Sequence, residues 1–363
     1  MKKESWLNSF NAIRALAILL VVLGHAALAY MATKMPELLW VVRDPSNHPF
    51  FDWFSWAIQF MAMPLFFFIA GFFSSKKFEV MGANAFIRDR AKRIVIPFVA
   101  GTIVILPLVY YVWSYGWYLS GRCELREILL VKFNDPVVRG NLYGPAHLWF
   151  LEYLFLISLF YPFLARLNLS SRLQKILIFS PLLLALPTIL MLRVNYDAGI
   201  EYRNSFIPFP VRFLHYCYFF LAGALTRRIP GLLKAFETKG IFYLVLSAPL
   251  LAVTGFFLKR YLAGTVTSVD SWSLSCATAL FSWSMLLGLI SLSLRFLKRP
   301  NAVFKYLSDA SFAIYLVHMP VIGLLQVLLY RLNWPAFAKF TDVFFGTLAI
   351  TIVFYQTTRV TDY

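Results

Sequence analysis

Charge is what this sequence has least of. Asp, Glu, Lys and Arg together supply 14% of its 363 residues, against about a quarter in soluble domains. Acids are the scarcer sign, 17 against 34 bases, while 60% of the residues are apolar. That composition excludes an ordinary soluble domain and indicates an integral membrane protein. Cysteine is sparse too. Cys123, Cys217 and Cys276 form no C-x-x-C pair, which argues against a disulfide framework or a zinc site; no metal is expected. No P-loop, G-x-G-x-x-G, H-E-x-x-H or G-x-S-x-G occurs. Their absence weighs against ATP-driven pumps, dinucleotide enzymes, zinc proteases and serine hydrolases. The net charge of +17 does not indicate a nucleic-acid partner. The bases lie in short loops between apolar runs, where they act as topology signals.

What is present is a series of long apolar runs. Ten have roughly the 17–25 residues that a bilayer requires. They fall near 10–32, 51–74, 94–114, 146–166, 173–193, 211–228, 240–258, 271–294, 310–330 and 340–357. The fold class expected is therefore all-α integral membrane, a polytopic bundle of about ten transmembrane helices. Lys2, Lys3 and the loops on the N-terminal side carry most of the Lys and Arg; the opposite loops carry most of the acids, Glu37, Asp44, Asp197 and Glu201 among them. This bias predicts both termini in the cytoplasm. The first run is expected to stay as a span, because no small-residue cleavage site stands out after it.

That first run carries Arg14 and His25. An ionisable group at membrane depth costs at least a few kcal/mol, so each needs a partner, a wet cavity or a role. Eleven residues along a helix advance ~16 Å and return to within ~20° of the starting face. Both side chains are thus expected in one cavity, a cation near the surface and a titratable base deeper in. The second run ends MPLFFFIAGFF, where Pro64 and Gly71 are expected to loosen the helix, which reads either as a kinked packing helix or as a kink that shapes the cavity floor. Ahead of the third run, Arg88, Arg90, Lys92 and Arg93 form the densest basic stretch. It reads either as a stop-transfer anchor on anionic lipid or as a phosphate clamp, with Arg90 and Arg93 on one helical face. The long loop 114–146, aromatic and glycine-punctuated, suits sugar stacking or an interfacial belt equally.

Three further groups are candidates. His147 opens the fourth run and Glu152 lies within it; the carboxylate is a functional candidate or an ion-pair partner for an arginine such as Arg14. His318 lies mid-run in the ninth, either a core histidine or a wall of the His25 cavity, with Asp309 and Ser311 suited to that helix's start. His215 is expected at an interface and His48 in an outer loop. Histidine is the side chain best poised for general-base work near neutral pH, and arginine for holding phosphates or a developing oxyanion.

Five ordered motifs then carry a resemblance: Arg14 and His25 as R-x10-H, FFFIAGFF at 66–73, R-x-x-R at Arg90–Arg93 before Pro97, HLWFL at 147–151 and IYLVHMP at 314–320. Together they resemble membrane acyltransferase family 3, and most closely its glucan biosynthesis branch, over nearly the whole chain. The resemblance implies one transmembrane domain over residues 1–363, with ten helices in a bacterial inner membrane. It implies acyl transfer from cytoplasmic acyl-CoA, succinyl-CoA or acetyl-CoA, to an extracytoplasmic glycan such as a periplasmic glucan. Arg14 and His25 would belong to the catalytic site, with Arg90 and Arg93 at the donor. His147 and His318 match motif histidines of less certain role, and Glu152 lies outside the motifs. A transporter of a lipid-linked sugar or proton-coupled solute is the competing reading, weakened because R-x10-H has no counterpart near the sixth run. A non-catalytic scaffold would tolerate loss of His25.

Overall fold

The structure, a computed structural model, describes residues 6–35, 38–196 and 204–360. Lys2, Lys3, Glu37, Asp197 and Glu201 lie outside the described residues. Fourteen α-helices are described, with no strand among the described residues. They are α1 Trp6–Ala27, α2 Pro49–Met81, α3 Ala83–Arg90, α4 Ile96–Leu119, α5 Leu125–Leu130, α6 Pro136–Leu142, α7 Trp149–Leu164, α8 Ser171–Phe179, α9 Ala185–Val194, α10 Pro210–Arg228, α11 Leu232–Leu262, α12 Ser268–Phe296, α13 Ala302–Leu329 and α14 Ala336–Val360.

Eight of the helices are long and apolar enough to cross a membrane, or nine if the bent pair α8–α9 counts as one span. The straight span expected at 173–193 is instead this pair, bent by 113° at Ser180–Pro181. Proline lacks the N–H a continuing helix needs there. The sixth expected run is α10, which falls short on composition because it carries Arg212, His215, Arg227 and Arg228. The polar pair Arg212 and His215 is buried rather than turned to lipid.

Burial separates two layers. The best apolar window of α12 is 78% buried and that of α2 67%, whereas α4 and α14 each reach 22% and present most of their surface outward. Aromatic side chains fill the inner layer, Phe10, Phe67, Phe68, Phe72, Phe219 and Trp283 among them. At one crossing the backbones themselves meet. A Cβ on Gly71 would lie 1.8 Å from the Phe220 carbonyl oxygen, and one on Gly223 1.9 Å from that of Phe68. Gly71 is therefore a contact residue between α2 and α10, the close approach that small residues permit in membranes. It is not a loosened point, since α2 runs unbroken from Pro49 to Met81.

Two local signals read differently in the folded chain. The helix α13 begins at Ala302, where the Asn301 side chain accepts from Phe304 N–H at 3.1 Å. Asp309 and Ser311 thus lie inside the helix rather than at its start. Between α3 and α4 the chain widens into a π turn at Ala91–Val95. Pro97 follows, and its ring would press on the Arg93 carbonyl four residues back in a regular helix. The wider turn relieves that clash, and beside it Arg90 is largely buried while Arg93 is exposed.

Candidate active site

A cavity of about 1060 Å³ runs beside α1 and α2. Arg14 and His25 both line it, as their spacing predicts, and so do Arg90, Arg93 and His147. His318 is fully buried just behind the wall, bonded to His25. Two of the expected residues stand apart from it. Arg88 is exposed and off the wall. Glu152 is half-buried, also off the wall, and its Oε2 is buried without a hydrogen-bond partner. The ion pair expected between Glu152 and Arg14 is not formed. Arg14 Nε donates to Ser308 Oγ at 2.7 Å, and the guanidinium lies 3.8 Å from Asp309, which Lys305 also holds at 2.7 Å.

One end of the cavity is basic. Asp89 accepts from Lys77 at 2.6 Å, from Arg90 at 2.7 Å and from Arg93 at 3.0 Å. One carboxylate thus organises three cations and leaves two positive charges in excess. Lys76, over the Trp6 ring at 5.0 Å, lines the same rim. Preorganised cations around a wet opening are suited to phosphate oxygens.

The other end is built from neutral rings. His318 Nδ1 lies 2.7 Å from the Tyr315 carbonyl oxygen. A carbonyl only accepts, so Nδ1 carries the proton and Nε2 of the neutral ring is a lone pair. His25 Nδ1 lies 3.1 Å from that Nε2 and therefore donates to it. This fixes the His25 tautomer: its Nε2 is a lone pair, on a side chain that lines the cavity. The second nitrogen of a histidine setting which atom does chemistry is a general device. By the same reasoning His147 Nε2 donates to the Leu316 carbonyl at 3.0 Å, and its Nδ1 is a buried lone pair without a partner. The rings of His25 and His147 each lie 5.1 Å from that of His318. The turn that delivers His147 is strained, with Ala146 at φ 46°. Asn204 Oδ1 holds it by accepting from Ala146 N–H at 2.8 Å. Among the described residues no three His, Cys, Asp or Glu side chains are arranged to hold a metal.

Three contributors were missed in the sequence. The loop after α1 turns back so that Trp40 stacks on His25, with centroids 5.8 Å apart and planes 4° from parallel. Gln326, 1% exposed, accepts from the Trp40 indole at 2.7 Å and donates to the Ala26 carbonyl at 3.0 Å. A lone glutamine in an apolar run was the available signal for it. Arg212, at the start of α10, lines the same cavity, and an arginine within a candidate span was a signal of the same kind. His215 is buried against Tyr216 and Phe219 rather than at an interface. His48 caps α2 by accepting from Phe50 N–H at 3.1 Å.

A family model for an acyltransferase domain, acyltransferase 3, matches residues 7–356. The chain belongs to the acyltransferase 3 family. Curated relatives include the glucans biosynthesis protein C of Escherichia coli strain SMS-3-5, 27% identical over 341 residues that cover 88% of this chain and 82% of the relative. The protein of the same name from strain K12 matches at 27% over the same shares, and that from strain 536 at 28% over 343 residues. No solved structure matches. Family and helices together identify a multi-pass membrane acyltransferase.

Proposed function

We propose that this acyltransferase 3 protein is an inner-membrane O-acyltransferase, moving a succinyl or acetyl group from cytoplasmic acyl-CoA to a hydroxyl of a glycan across the membrane. The observation that carries the reading is the His25 Nε2 lone pair, held by His318 in a cavity whose other end is basic. Arg90, Arg93 and Lys77 would bind the donor phosphates, with Arg14 beside them. The pantetheine arm would then lie along the cavity toward His25. Exposed Arg88 is assigned to anionic lipid headgroups, and no step is routed through Glu152.

In this mechanism His25 Nε2 takes the proton of the acceptor hydroxyl as its oxygen attacks the thioester carbon. The charge gained by His25 is shared through its Nδ1–H with His318, whose own Nδ1–H donates to the Tyr315 carbonyl oxygen. The C–S bond then breaks, and His25 returns the proton to the departing thiolate. An ester and a free thiol result. The names of the relatives, which speak of glucan biosynthesis, favour a periplasmic glucan as the acceptor. The Lys and Arg bias favours both termini in the cytoplasm. Ten crossings follow if α8–α9 is one broken span and α10 the next.

The test is mass spectrometry of envelope glycans from a host lacking such an enzyme, complemented with this chain or with His25→Ala. A succinyl or acetyl mass gain is expected only with the unmodified chain. Equal gain from both forms would overturn the mechanism. No gain, with no acyl-CoA binding by the purified protein, would overturn the class and return the transporter reading.

A further inference from the structure

Arg212 has no place in the mechanism above, yet it is the most buried charge on the cavity wall. It is 8% exposed, and its Nε is buried without a hydrogen-bond partner. No carboxylate pairs with it among the described residues. Its guanidinium lies 4.1 Å above the Trp149 ring and 5.9 Å from the Tyr216 ring centre. Stacking satisfies the flat face of the group and the Tyr216 hydroxyl lies within reach of one donor, but the buried Nε–H stays without a partner, and guanidinium donors are directional and suited to a two-oxygen anion. Every other cation on this wall is engaged differently. Arg90, Arg93 and Lys77 share Asp89, Arg14 has Ser308 and Asp309, and half-buried Lys76 lies over the Trp6 ring. A buried unpaired cation costs several kcal/mol, so a guanidinium kept in this state is one that awaits an anion.

Its place says which end of the substrates it meets. Trp149 is two residues beyond His147, and Arg212 opens α10, so the guanidinium belongs to the histidine end and not to the Asp89 end. The donor phosphates already have cations at the opposite end. We propose that Arg212 binds a carboxylate carried by the reacting part of a substrate, and so selects an acidic substrate over its neutral counterpart. This rests on the acyl-transfer reading. The carboxylate has two sources of the same chemistry: the far end of a dicarboxylic acyl group, or an acidic sugar of the acceptor.

The experiment uses the full purified chain in detergent and two matched pairs of probes. Binding of succinyl-CoA and acetyl-CoA is measured for the native protein, Arg212→Lys and Arg212→Gln. So is binding of a neutral gluco-oligosaccharide and a glucuronate-containing one. The native chain is expected to favour the acidic member of one pair roughly tenfold to a hundredfold, the range of a charged hydrogen bond. Arg212→Gln removes that preference while binding of the neutral member persists, and Arg212→Lys keeps part of it. Loss in the donor pair assigns a dicarboxylic acyl group; loss in the sugar pair assigns an acidic acceptor. A native chain with no preference in either pair overturns the proposal, as does a preference that survives Arg212→Gln. Equal loss of neutral and acidic binding in both variants also overturns it, since Arg212 would then only brace Trp149. Failure of the acyl-transfer reading looks different: neither acyl-CoA binds the native chain.

Discussion

At one end of the cavity Lys77, Arg90 and Arg93 share a single carboxylate, and Arg93 is 70% exposed. At the other end His25 and His318 are bonded to each other, His318 and His147 are tied to backbone carbonyls, and Trp40 covers His25. The two ends position their side chains in different ways. The basic end uses charge on charge, and solvent screens it. The histidine end uses neutral, directional hydrogen bonds, and geometry fixes which nitrogen is free. The first arrangement is suited to holding a highly charged group in several poses. The second is suited to a proton transfer that tolerates little displacement. Substitutions of the Asp89-bound cations should therefore change affinity, and those of the histidines rate.

The largest effect is expected at His25. His25→Ala should lower turnover by about 10²–10⁴-fold, with donor binding to the purified protein unchanged. If donor affinity falls instead and the rate at saturation holds, the division between the two ends is wrong.

Next is the support of the loop that carries Trp40. Asp44, in that loop, and Lys339, in the first turn of α14, form an ion pair at 2.7 Å with side chains 2% and 1% exposed. Removing one partner of a buried pair costs about 3–5 kcal/mol. Lys339→Met should thus lower the melting temperature in detergent strongly, and Asp44→Asn combined with Lys339→Met should recover much of the loss. An unshifted melting temperature in the single variant would show that the loop is held without this pair.

A smaller effect is expected at His318, which acts through His25. His318→Ala should lower kcat roughly 10–100-fold and leave the donor KM in place. In a His25→Ala background it should add little, because residues acting as a unit are non-additive. An additive loss would give His318 a separate role.

Much of this fold was legible because each apolar run is a local feature of the sequence; the runs fall on helices, with that at 173–193 broken into the bent pair α8–α9. The common face of Arg14 and His25 was legible for the same reason, since helical spacing alone decides it. What was not legible depends on contacts between distant segments. The bond between His25 and His318 joins residues 293 apart. Trp40 stands in a loop whose return no periodicity encodes, and its position depends on Gln326, Trp117 and the Asp44–Lys339 pair. Asp89 was one acid within a basic run, and only the fold shows three cations closing on it. Gly71 is instructive in another way. Its permissive backbone was evident, but not that α10 lies against it.

The smallest effect is also the sharpest test of the basic end. Arg93→Gln leaves Asp89 with Lys77 and Arg90, so the carboxylate stays neutralised and the rim loses one positive charge. Arg93 itself is 70% exposed, and a pair with such an exposed cation contributes about 0–1 kcal/mol to stability, so the melting temperature should hold. Donor KM should rise a few-fold at low salt, and the difference from the native chain should shrink as salt screens the rim. Arg90→Gln should do more, because Arg90 is 17% exposed and its guanidinium carbon lies 5.5 Å from the Phe86 ring centre. Its charge is therefore less screened and its position better fixed. In both variants kcat at saturating donor should match the native value. A fall in kcat with KM unmoved would mean that the cations act on the reacting centre, and the donor would then have to enter the cavity the other way round.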